Sequence, residues 1–330
     1  MEIDTKGSEN KSKNKNDETY DAHSHIGTDT FIEREGNVST YLKTAEKLHV
    51  TTSNIMPVPC PTYKTSKGTT QALIWEGVPS GFRYFRKTLS ESGTVVEENP
   101  VNPYAEANNN LRQVIDKKNS GINLRYVPLI HPLLDAQEQV EKILSQRPIA
   151  VKIHGIAAGI TPKQVPEGLL RVIASSRIPV IVHTDNFSKK PKTSFDYLRR
   201  ENRAIKWIDI FEKTGVRGYI SHGAYLCPES FERINNTDQF LLGIGPVRLL
   251  QEDKEFFLQE SPQDESTIYP RKIFEQVEIG KVAFDIDFPC NTYDVDFTMP
   301  EAISRELAIA ELSESEKGKV LSKNSIDFFG

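Results

Sequence analysis

The sequence predicts an α/β fold: a (β/α)8 (TIM) barrel with a long insertion after the second strand and a disordered N-terminal tail. Short apolar runs alternate with longer amphipathic stretches, which is typical of repeated strand–helix units and a parallel sheet. The chain has 330 residues, of which 37% are hydrophobic, and this suits one large barrel. Residues 1–18 are almost entirely polar, so we expect them to form the tail and residues 19–330 to form a single barrel.

Eight strands are predicted, which is the number that closes a barrel of this type. Each is a short run rich in apolar and β-branched residues, with polar or turn-forming residues on either side. In chain order the predicted strands are Thr19–His25, Thr52–Val58, Asn123–Ile130, Ala150–His154, Pro179–His183, Gly218–His222, Phe240–Ile244 and Val282–Asp287.

Capping residues mark several of the connecting helices. The pair Thr161–Pro162 predicts a helix start, with threonine as N-cap and proline at the first helical position. Another helix is expected over Ser194–Lys213, with Gly215 ending it. Ser313 and Glu316 have the spacing of a capping box before the closing helices.

The connection from about Cys60 to Ser120 is too long for an ordinary strand-to-helix loop. Loops of this length without structure of their own are uncommon in compact domains. We therefore expect the segment to contain a helix and a lid. Tyr63, Trp75 and Tyr84 lie within it and would form either an aromatic pocket wall or surface packing.

Charge and composition disfavour several classes of partner. The formal net charge is −5, which gives no support for nucleic acid or an anionic membrane as a partner. The three cysteines form no CxxC pair, which indicates a reducing compartment. No apolar run reaches the roughly 18–20 residues of a membrane helix, and the first residues are polar, so we expect a cytoplasmic protein. A small-molecule substrate is the expected partner, and a homodimer is left open.

Ionisable residues are concentrated where the predicted strands end. Barrel enzymes place catalytic groups at the C-terminal ends of their strands. Because side chains alternate along a strand, the two histidines of the first strand point to the same side. We therefore predict that a set of side chains meets at the mouth of the barrel: His23, His25, His154, His183, His222 and Asp287.

These residue types are ligands that zinc and related metals prefer, with one coordination position left for water. We predict that His23, His25, His183 and Asp287 bind one divalent metal. Zinc is the first expectation, with manganese or iron as alternatives. The metal would lower the pKa of a bound water toward about 7, and His222 or Asp287 would move its proton. Each histidine alone is more often a hydrogen-bonding residue, so the prediction depends on the whole set.

The chain resembles the amidohydrolase superfamily of metal-dependent barrel hydrolases, and is most similar to the branch that contains aminocarboxymuconate-semialdehyde decarboxylase. The resemblance implies metal binding by the first-strand pair His23 and His25, by His183 and by Asp287. It also implies that His222 binds a second metal or assists the water. It has least support over residues 60–120 and rests on DAHSHIG (Asp21–Gly27), AVKIHG (Ala150–Gly155), IPVIVHTDN (Ile178–Asn186), YISHG (Tyr219–Gly223), FDIDFP (Phe284–Pro289) and the closing LSESEKGKVLSKNSIDFFG.

Lys152 shares a strand face with His154 and is expected to point into the barrel, where an unpaired lysine is costly. In some members of the resembled superfamily a fourth-strand lysine is carbamylated and bridges two metals. The alternative is a buried ion pair with Asp285, which shares the inward face of Asp287 but lies deeper. The related pattern usually has a small residue at that place. We favour the ion pair and hence one metal, and a second metal follows if Lys152 is carbamylated.

Three further residues are candidates for substrate binding. Arg248 follows the seventh strand and would hold a carboxylate or phosphate through two parallel hydrogen bonds, or else cap a loop. His154 ends the fourth strand at the mouth. Asp185 follows His183, where it would orient that ring or line the pocket.

The expected activity is hydrolysis of an amide, ester or lactone of a small molecule by a metal-activated water. The alternative is a metal-dependent, non-oxidative decarboxylase of an unsaturated or aromatic acid, since the same ligand set serves both reactions. A catalytically silent binding barrel is less expected, because all the ligand positions are filled. A nuclease on the same barrel is disfavoured by the acidic balance and by a lysine on the fourth strand.

Overall fold

The computed structural model describes residues 18–29, 34–78, 81–117, 121–185, 191–245, 268–289 and 308–330. Its strands are β1 (Thr19–Asp29), β2 (Arg34–Gly36), β3 (Val50–Pro57), β4 (Pro61–Thr65), β5 (Gly68–Val78), β6 (Gly81–Ser90), β7 (Gly93–Glu98), β8 (Asn123–Tyr126), β9 (Val151–Ile153), β10 (Val180–Val182), β11 (Gly218–Ile220), β12 (Phe240–Gly243) and β13 (Val282–Ala283). Its α-helices are α1 (Val38–Lys47), α2 (Ala105–Lys117), α3 (Gln137–Ser145), α4 (Glu167–Ser176), α5 (Ser194–Glu201), α6 (Ala204–Thr214), α7 (Pro228–Asn235), α8 (Ile268–Gln276), α9 (Glu314–Gly318) and α10 (Asn324–Phe329). The tail predicted at 1–18 lies outside these ranges except for its last residue.

Eight of the described strands form a parallel barrel in the order β1, β3, β8, β9, β10, β11, β12 and β13. One set of parallel ladders joins β1 to β3 and β3 to β8, and a second set runs from β9 to β13. Leu129 forms a parallel bridge with Lys152 between the two sets. The circle closes between β13 and β1, where the Ala22 N–H donates to the Phe284 carbonyl at 3.1 Å. The predicted TIM-barrel fold is confirmed, and each of the eight predicted strands overlaps a barrel strand, although the third and the eighth end earlier than predicted, at Tyr126 and Ala283.

Side chains of the barrel strands alternate between the outer helices and the interior. Val151 packs in the cluster between strands and helices that includes Trp207 of α6. Ile181 belongs to a separate interior cluster that includes Phe328 of α10. Arg217 precedes β11 and donates to the Phe328 carbonyl at 2.6 Å. The C-terminal helix therefore covers the end of the barrel where the strands begin, and the opposite end carries the candidate site.

The long connection after β3 contains its own helix, as predicted, namely α2. It also contains an antiparallel sheet of β4, β5, β6 and β7, which was not foreseen. In this inserted sheet β4 pairs with the end of β1, with Thr62 opposite Thr28. Because β1 is a barrel strand, the inserted sheet continues the barrel wall at the C-terminal mouth.

The single helix predicted over Ser194–Lys213 is wrong, because two helices, α5 and α6, meet at Asn202. The Asn202 side chain donates to the carbonyls of Ile160 and Leu198, both at 2.9 Å. It also accepts from the Trp207 indole N–H at 3.2 Å. An asparagine side chain that bonds the backbone in this way competes with the helical ladder, so α5 ends here.

The other capping predictions have mixed outcomes. Thr161–Pro162 opens only a 3₁₀ turn over Pro162–Gln164, and α4 begins later, at Glu167. Gly215 ends α6 with a φ of 77°, and the capping box Ser313–Glu316 is formed, so both of these predictions are confirmed. None of the helices in the described ranges is both long enough and apolar enough to cross a membrane.

Arg177 offers a test of backbone strain at the end of α4. It is exposed and has a φ of 59°, in the left-handed region, which costs a non-glycine residue about 1 kcal/mol. We expect Arg177→Gly to raise the free energy of unfolding in urea by about 1 kcal/mol. The matched control Arg171→Gly puts glycine inside the same helix and should lower it by about 1 kcal/mol. A loss of stability in Arg177→Gly would contradict this account.

Candidate metal centre

A β-bulge in β1 aims the predicted histidine pair into the barrel. Just after Asp21, β1 advances three residues where β3 advances two. Ala22 belongs to the interior cluster, yet the adjacent His23 also faces the interior, with its Nε2 2.9 Å from Nζ of Lys152 on β9. His25 follows two positions later and lies beside His23. Because Ala22 faces the interior, strict alternation would turn His23 and His25 outward. The extra residue of the bulge turns both histidines inward.

The buried carboxylate of Asp21 satisfies the polar groups around this bulge. Its Oδ1 accepts from the Ile286 N–H at 2.9 Å and from the His23 N–H at 3.3 Å. Its Oδ2 accepts from the hydroxyls of Tyr41 at 2.7 Å and Ser53 at 2.8 Å. The donors come from β1, β3, α1 and the segment after β13. One side chain thus joins the strand of His23 and His25 to the segment that carries Asp287.

Three of the predicted ligands converge at the mouth. One ligand atom from each of His23, His25 and Asp287 lies within 4.8 Å of the other two, and all three residues are buried. The Nε2 atoms of the two histidines are 3.0 Å apart, and Oδ1 of Asp287 is 3.7 Å from Nδ1 of His23. The His25 Nδ1–H donates to the Pro57 carbonyl at 2.8 Å. This bond leaves Nε2 of the neutral ring with its lone pair directed at the cluster.

The imidazole rings of the cluster are neutral. Burial, and then the positive charge of Lys152, lower the pKa of His25 to about 3 and the pKa of His23 well below its ordinary value. The rings are therefore neutral, which is the form that binds metals. Nδ1 of His23 is buried and has no hydrogen-bond partner among the described residues. Two neutral imidazoles and a carboxylate in this arrangement fit a divalent metal.

The remaining predicted histidines lie on the other side of Asp287. Nδ1 of His222 is 3.8 Å from Oδ2 of Asp287, and its Nε2 is 2.8 Å from Nδ1 of His183. The His154 ring stacks on His183 with centroids 4.1 Å apart. Burial is the main cause that lowers the pKa of both His154 and His183 well below the ordinary value. His183 is adjacent to the three-residue cluster and not part of it, so its role as a ligand stays a prediction.

Lys152 and Asp285 are both fully buried. Nζ of Lys152 is 2.9 Å from Nε2 of His23, and Oδ2 of Asp285 accepts from the Tyr219 hydroxyl. Burial, and then the charge of Asp285, raise the pKa of Tyr219 well above its ordinary value. The ion pair between Lys152 and Asp285 and the carbamate alternative both stay predictions.

Asp185 forms an ion pair with α5. Its two carboxylate oxygens accept from the Arg199 guanidinium at 2.8 and 3.0 Å, and its N–H donates to the Asn202 carbonyl at 3.1 Å. These bonds fix the loop after β10 at its start, and a substrate contact by Asp185 stays a prediction. Arg248, the predicted anion-binding residue, lies outside the described residues.

Two of the predicted site residues have left-handed backbone. The φ angle is 59° at His222 and 56° at Asp287. The left-handed stretch that starts at His222 continues to Leu226, and among its residues only Gly223 is a glycine. Non-glycine residues in this region cost about 1–3 kcal/mol each and cluster at functional sites. The surrounding contacts must therefore offset a local strain.

Sequence reasoning missed Asp21 and Asn202. The signal for Asp21 was an aspartate inside a strand, a position where this residue type is unfavoured unless its carboxylate has donors. The signal for Asn202 was the glycine in KIHG: a Cβ on Gly155 would overlap Oδ1 of Asn202. Neither signal identifies the residue that makes the contact, because that residue lies far away in the sequence.

Neither a family model nor a curated protein matches the chain in sequence. Solved structures match 94% of it. They include a probable 2-pyrone-4,6-dicarboxylic acid hydrolase from Acinetobacter baumannii with citric acid bound (12% identity, 99% of that chain, TM-score 0.53), an amidohydrolase from Burkholderia multivorans (8%, 98%, 0.57) and an L-hydantoinase from Arthrobacter aurescens (13%, 70%, 0.55). At these identities the likeness establishes the TIM-barrel fold and not the activity. The similarity to the decarboxylase branch stays a prediction.

Replacing Asp21 tests its role in closing the barrel. Asp21→Asn puts an amide NH₂ among four donors, so at least one buried donor loses its acceptor. We expect the free energy of unfolding in urea to fall by about 3 kcal/mol. Metal binding should also weaken, because Asp21 joins the strand of His23 to the segment of Asp287 and its carboxylate loses charge and part of its hydrogen bonding.

The matched control is Asp209→Asn on α6, whose carboxylate is exposed and pairs with Arg233. Exposed ion pairs contribute little to stability, so this variant should unfold like the wild type. If Asp21→Asn is as stable as Asp209→Asn, the carboxylate does not have the role assigned to it.

Proposed function

We propose that the chain is a metal-dependent hydrolase that cleaves an amide, ester or lactone bond of a small molecule. The observation that carries the proposal is the buried convergence of His23, His25 and Asp287 at the C-terminal mouth of the barrel. Barrel enzymes carry out their chemistry at this mouth. Structural neighbours named as a 2-pyrone-4,6-dicarboxylic acid hydrolase, an amidohydrolase and a hydantoinase support hydrolysis as the reaction.

The residues of the cluster have distinct proposed roles. His23, His25 and Asp287 would hold the metal, with zinc preferred by this donor set. A divalent metal in this place supplies an activated water and polarises the scissile carbonyl. His222 is proposed to move the proton, and the distance of 3.8 Å between its Nδ1 and Oδ2 of Asp287 supports this role. The contact of its Nε2 with His183 orients the ring, so His222 and Asp287 form the proposed acid–base pair.

The substrate side of the site is proposed to include His154, whose ring stacks on His183 beside the cluster. Hydrolysis is preferred to decarboxylation of an unsaturated acid, which the same ligands would serve, because structural neighbours are hydrolases by name. One metal is proposed, because a second metal would need Lys152 to be carbamylated. The unmodified Nζ of Lys152 lies 2.9 Å from Nε2 of His23.

Replacing His25 tests the metal site. His25→Asn removes an imidazole ligand, and we expect tightly held metal, measured by elemental analysis after dialysis, to fall from about one equivalent per chain to a small fraction of that. The matched control His49→Asn changes an exposed residue with a φ of 53°, a conformation that asparagine tolerates. It should keep the wild-type metal content. Equal metal content in both variants would contradict the assignment of the ligands.

The reaction itself is tested with the metal-loaded protein and a panel of lactones, cyclic amides and esters, with acid release followed in a pH-stat. Carbon dioxide is measured in parallel with a set of unsaturated and aromatic acids. We expect acid release by the wild type and by His49→Asn, and at least about 100-fold less by His25→Asn. Carbon dioxide release without hydrolysis would favour the decarboxylase. A metal-loaded protein that performs neither reaction would favour a silent binding barrel.

A further inference from the structure

The loop that follows β9 is held by side chains from four separate segments. The backbone carbonyls of residues 156, 158, 159 and 160 each accept a hydrogen bond from a side chain. The donors, in that order, are Nε1 of Trp75 at 3.0 Å, Nε2 of His131 at 3.1 Å, the hydroxyl of Tyr84 at 3.1 Å and Nδ2 of Asn202 at 2.9 Å. Residues 155–160 are buried, where backbone carbonyls need partners within the protein, and these four bonds fix the loop.

Two of these donors belong to the inserted sheet. Trp75 of β5 and Tyr84 of β6 are directly opposite each other in the ladder, so they present one face of the sheet to the loop. Gly159 has a φ of 65°, and a Cβ there would lie 2.7 Å from Cγ of Trp75. The indole therefore lies directly against the loop backbone. The Ser194 hydroxyl donates to the Gly77 carbonyl and ties the same hairpin to the start of α5.

His154 is the first residue of the loop, and the same turn fixes its ring. Its Nδ1 accepts from the Ala157 N–H at 3.2 Å, and its carbonyl accepts from the Ala158 N–H at 2.9 Å. Because Nδ1 is an acceptor, the proton of the neutral ring is on Nε2. The turn thus sets the tautomer of His154 as well as its position.

The strand before His154 gives the ring little support of its own. β9 has only three residues and ends at Ile153, so the hydrogen bonds of the loop decide where the ring lies. The ring is inclined by 12° to His183, at a centroid distance of 4.1 Å. His183 in turn contacts His222. A shift of the loop would therefore act on the ring stack beside the cluster.

We propose that Trp75 and Tyr84 are positioning residues: through the loop they hold His154 against His183, so that the Nε2–H of His154 donates to an oxygen of the bound substrate. The inserted sheet is then a fixed part of the site. The catalytic half of this inference rests on the proposed hydrolysis. The positional half, that the two side chains set the place and tautomer of His154, does not.

Two variants remove the donors and keep the rings. Trp75→Phe deletes the indole N–H and Tyr84→Phe deletes the hydroxyl, and each should lower kcat/KM by about 10-fold. The double variant should lose about 30- to 100-fold. The matched control Thr88→Val deletes a hydroxyl of the same sheet whose partner is the Thr70 hydroxyl, and it should change kcat/KM less than about 2-fold.

A spectroscopic readout separates positioning from a general loss of stability. In ¹⁵N-histidine-labelled protein, the Nδ1 signal of His154, identified by its absence in His154→Gln, should show an unprotonated acceptor. In the double variant this signal should shift toward an average of the two tautomers, and in Thr88→Val it should not move. Gly159→Ala adds a Cβ that would push Trp75 away from the loop. This variant should shift the His154 signal in the same direction as the double variant.

Each outcome decides between the possibilities. A double variant with the wild-type His154 signal and kcat/KM would overturn the proposal. A shifted signal with unchanged kcat/KM would overturn its catalytic half. If the wild type turned over no substrate, the proposed hydrolysis would fail, and the histidine signals would still report whether Trp75 and Tyr84 hold His154.

Discussion

The carboxylate of Asp21 is the constraint on which the barrel and its candidate site depend. The proposed ligands His23 and His25 come from the first barrel strand and Asp287 comes from just beyond the last, so the three meet only if the circle closes. At that seam the bulge would leave the Ile286 N–H without an acceptor, and Asp21 accepts it. The opposite group at the bulge, the Ala22 carbonyl, accepts from the side chain of Asn54 at 3.2 Å. Every group freed by the bulge is therefore paired within the protein, as a buried seam requires.

Beneath the cluster, the interior of the barrel contains Lys152 and Asp285 and the space that the Asp285 carboxylate occupies. A Cβ at Gly243 or at Gly245 would overlap an oxygen of Asp285, so these two glycines, one at the end of β12 and one just after it, make space for that carboxylate. Lys152 lies in the same interior, fully buried. Taking an ammonium and a carboxylate out of water is costly unless other groups compensate them. The charge of Lys152 also helps to keep the nearby imidazoles neutral, which ties the deep residues to the chemistry at the mouth.

Local patterns were sufficient to predict the strands and the histidines at strand ends, because apolar runs and their ends are visible in the sequence itself. Contacts between distant segments were not. Strict alternation puts Asp21 on the same face as His23, whereas the bulge turns it outward to Tyr41 of α1. The break between α5 and α6 depends on the carbonyl of Ile160, which no helix pattern contains. A lid was expected in the long connection, and the inserted sheet was missed because its pairing with the end of β1 has no local signal.

Apart from β1, which contains His23 and His25, the strands that supply the candidate site are short, and the side chains proposed for the site lie just beyond them. Their positions therefore depend on side chains that bind loop backbone. Asn202 links two of these loops, since its side-chain amide donates to the loop after β9 and its backbone carbonyl accepts from the Asp185 N–H in the loop after β10. The left-handed stretch at His222 has no stability of its own, so such contacts must maintain it. In a barrel of this kind, the elements that pack on the mouth help to fix the positions of the site side chains. Because the inserted sheet is continuous with β1 and bonded to the loop of His154, it belongs to the structure that defines the site.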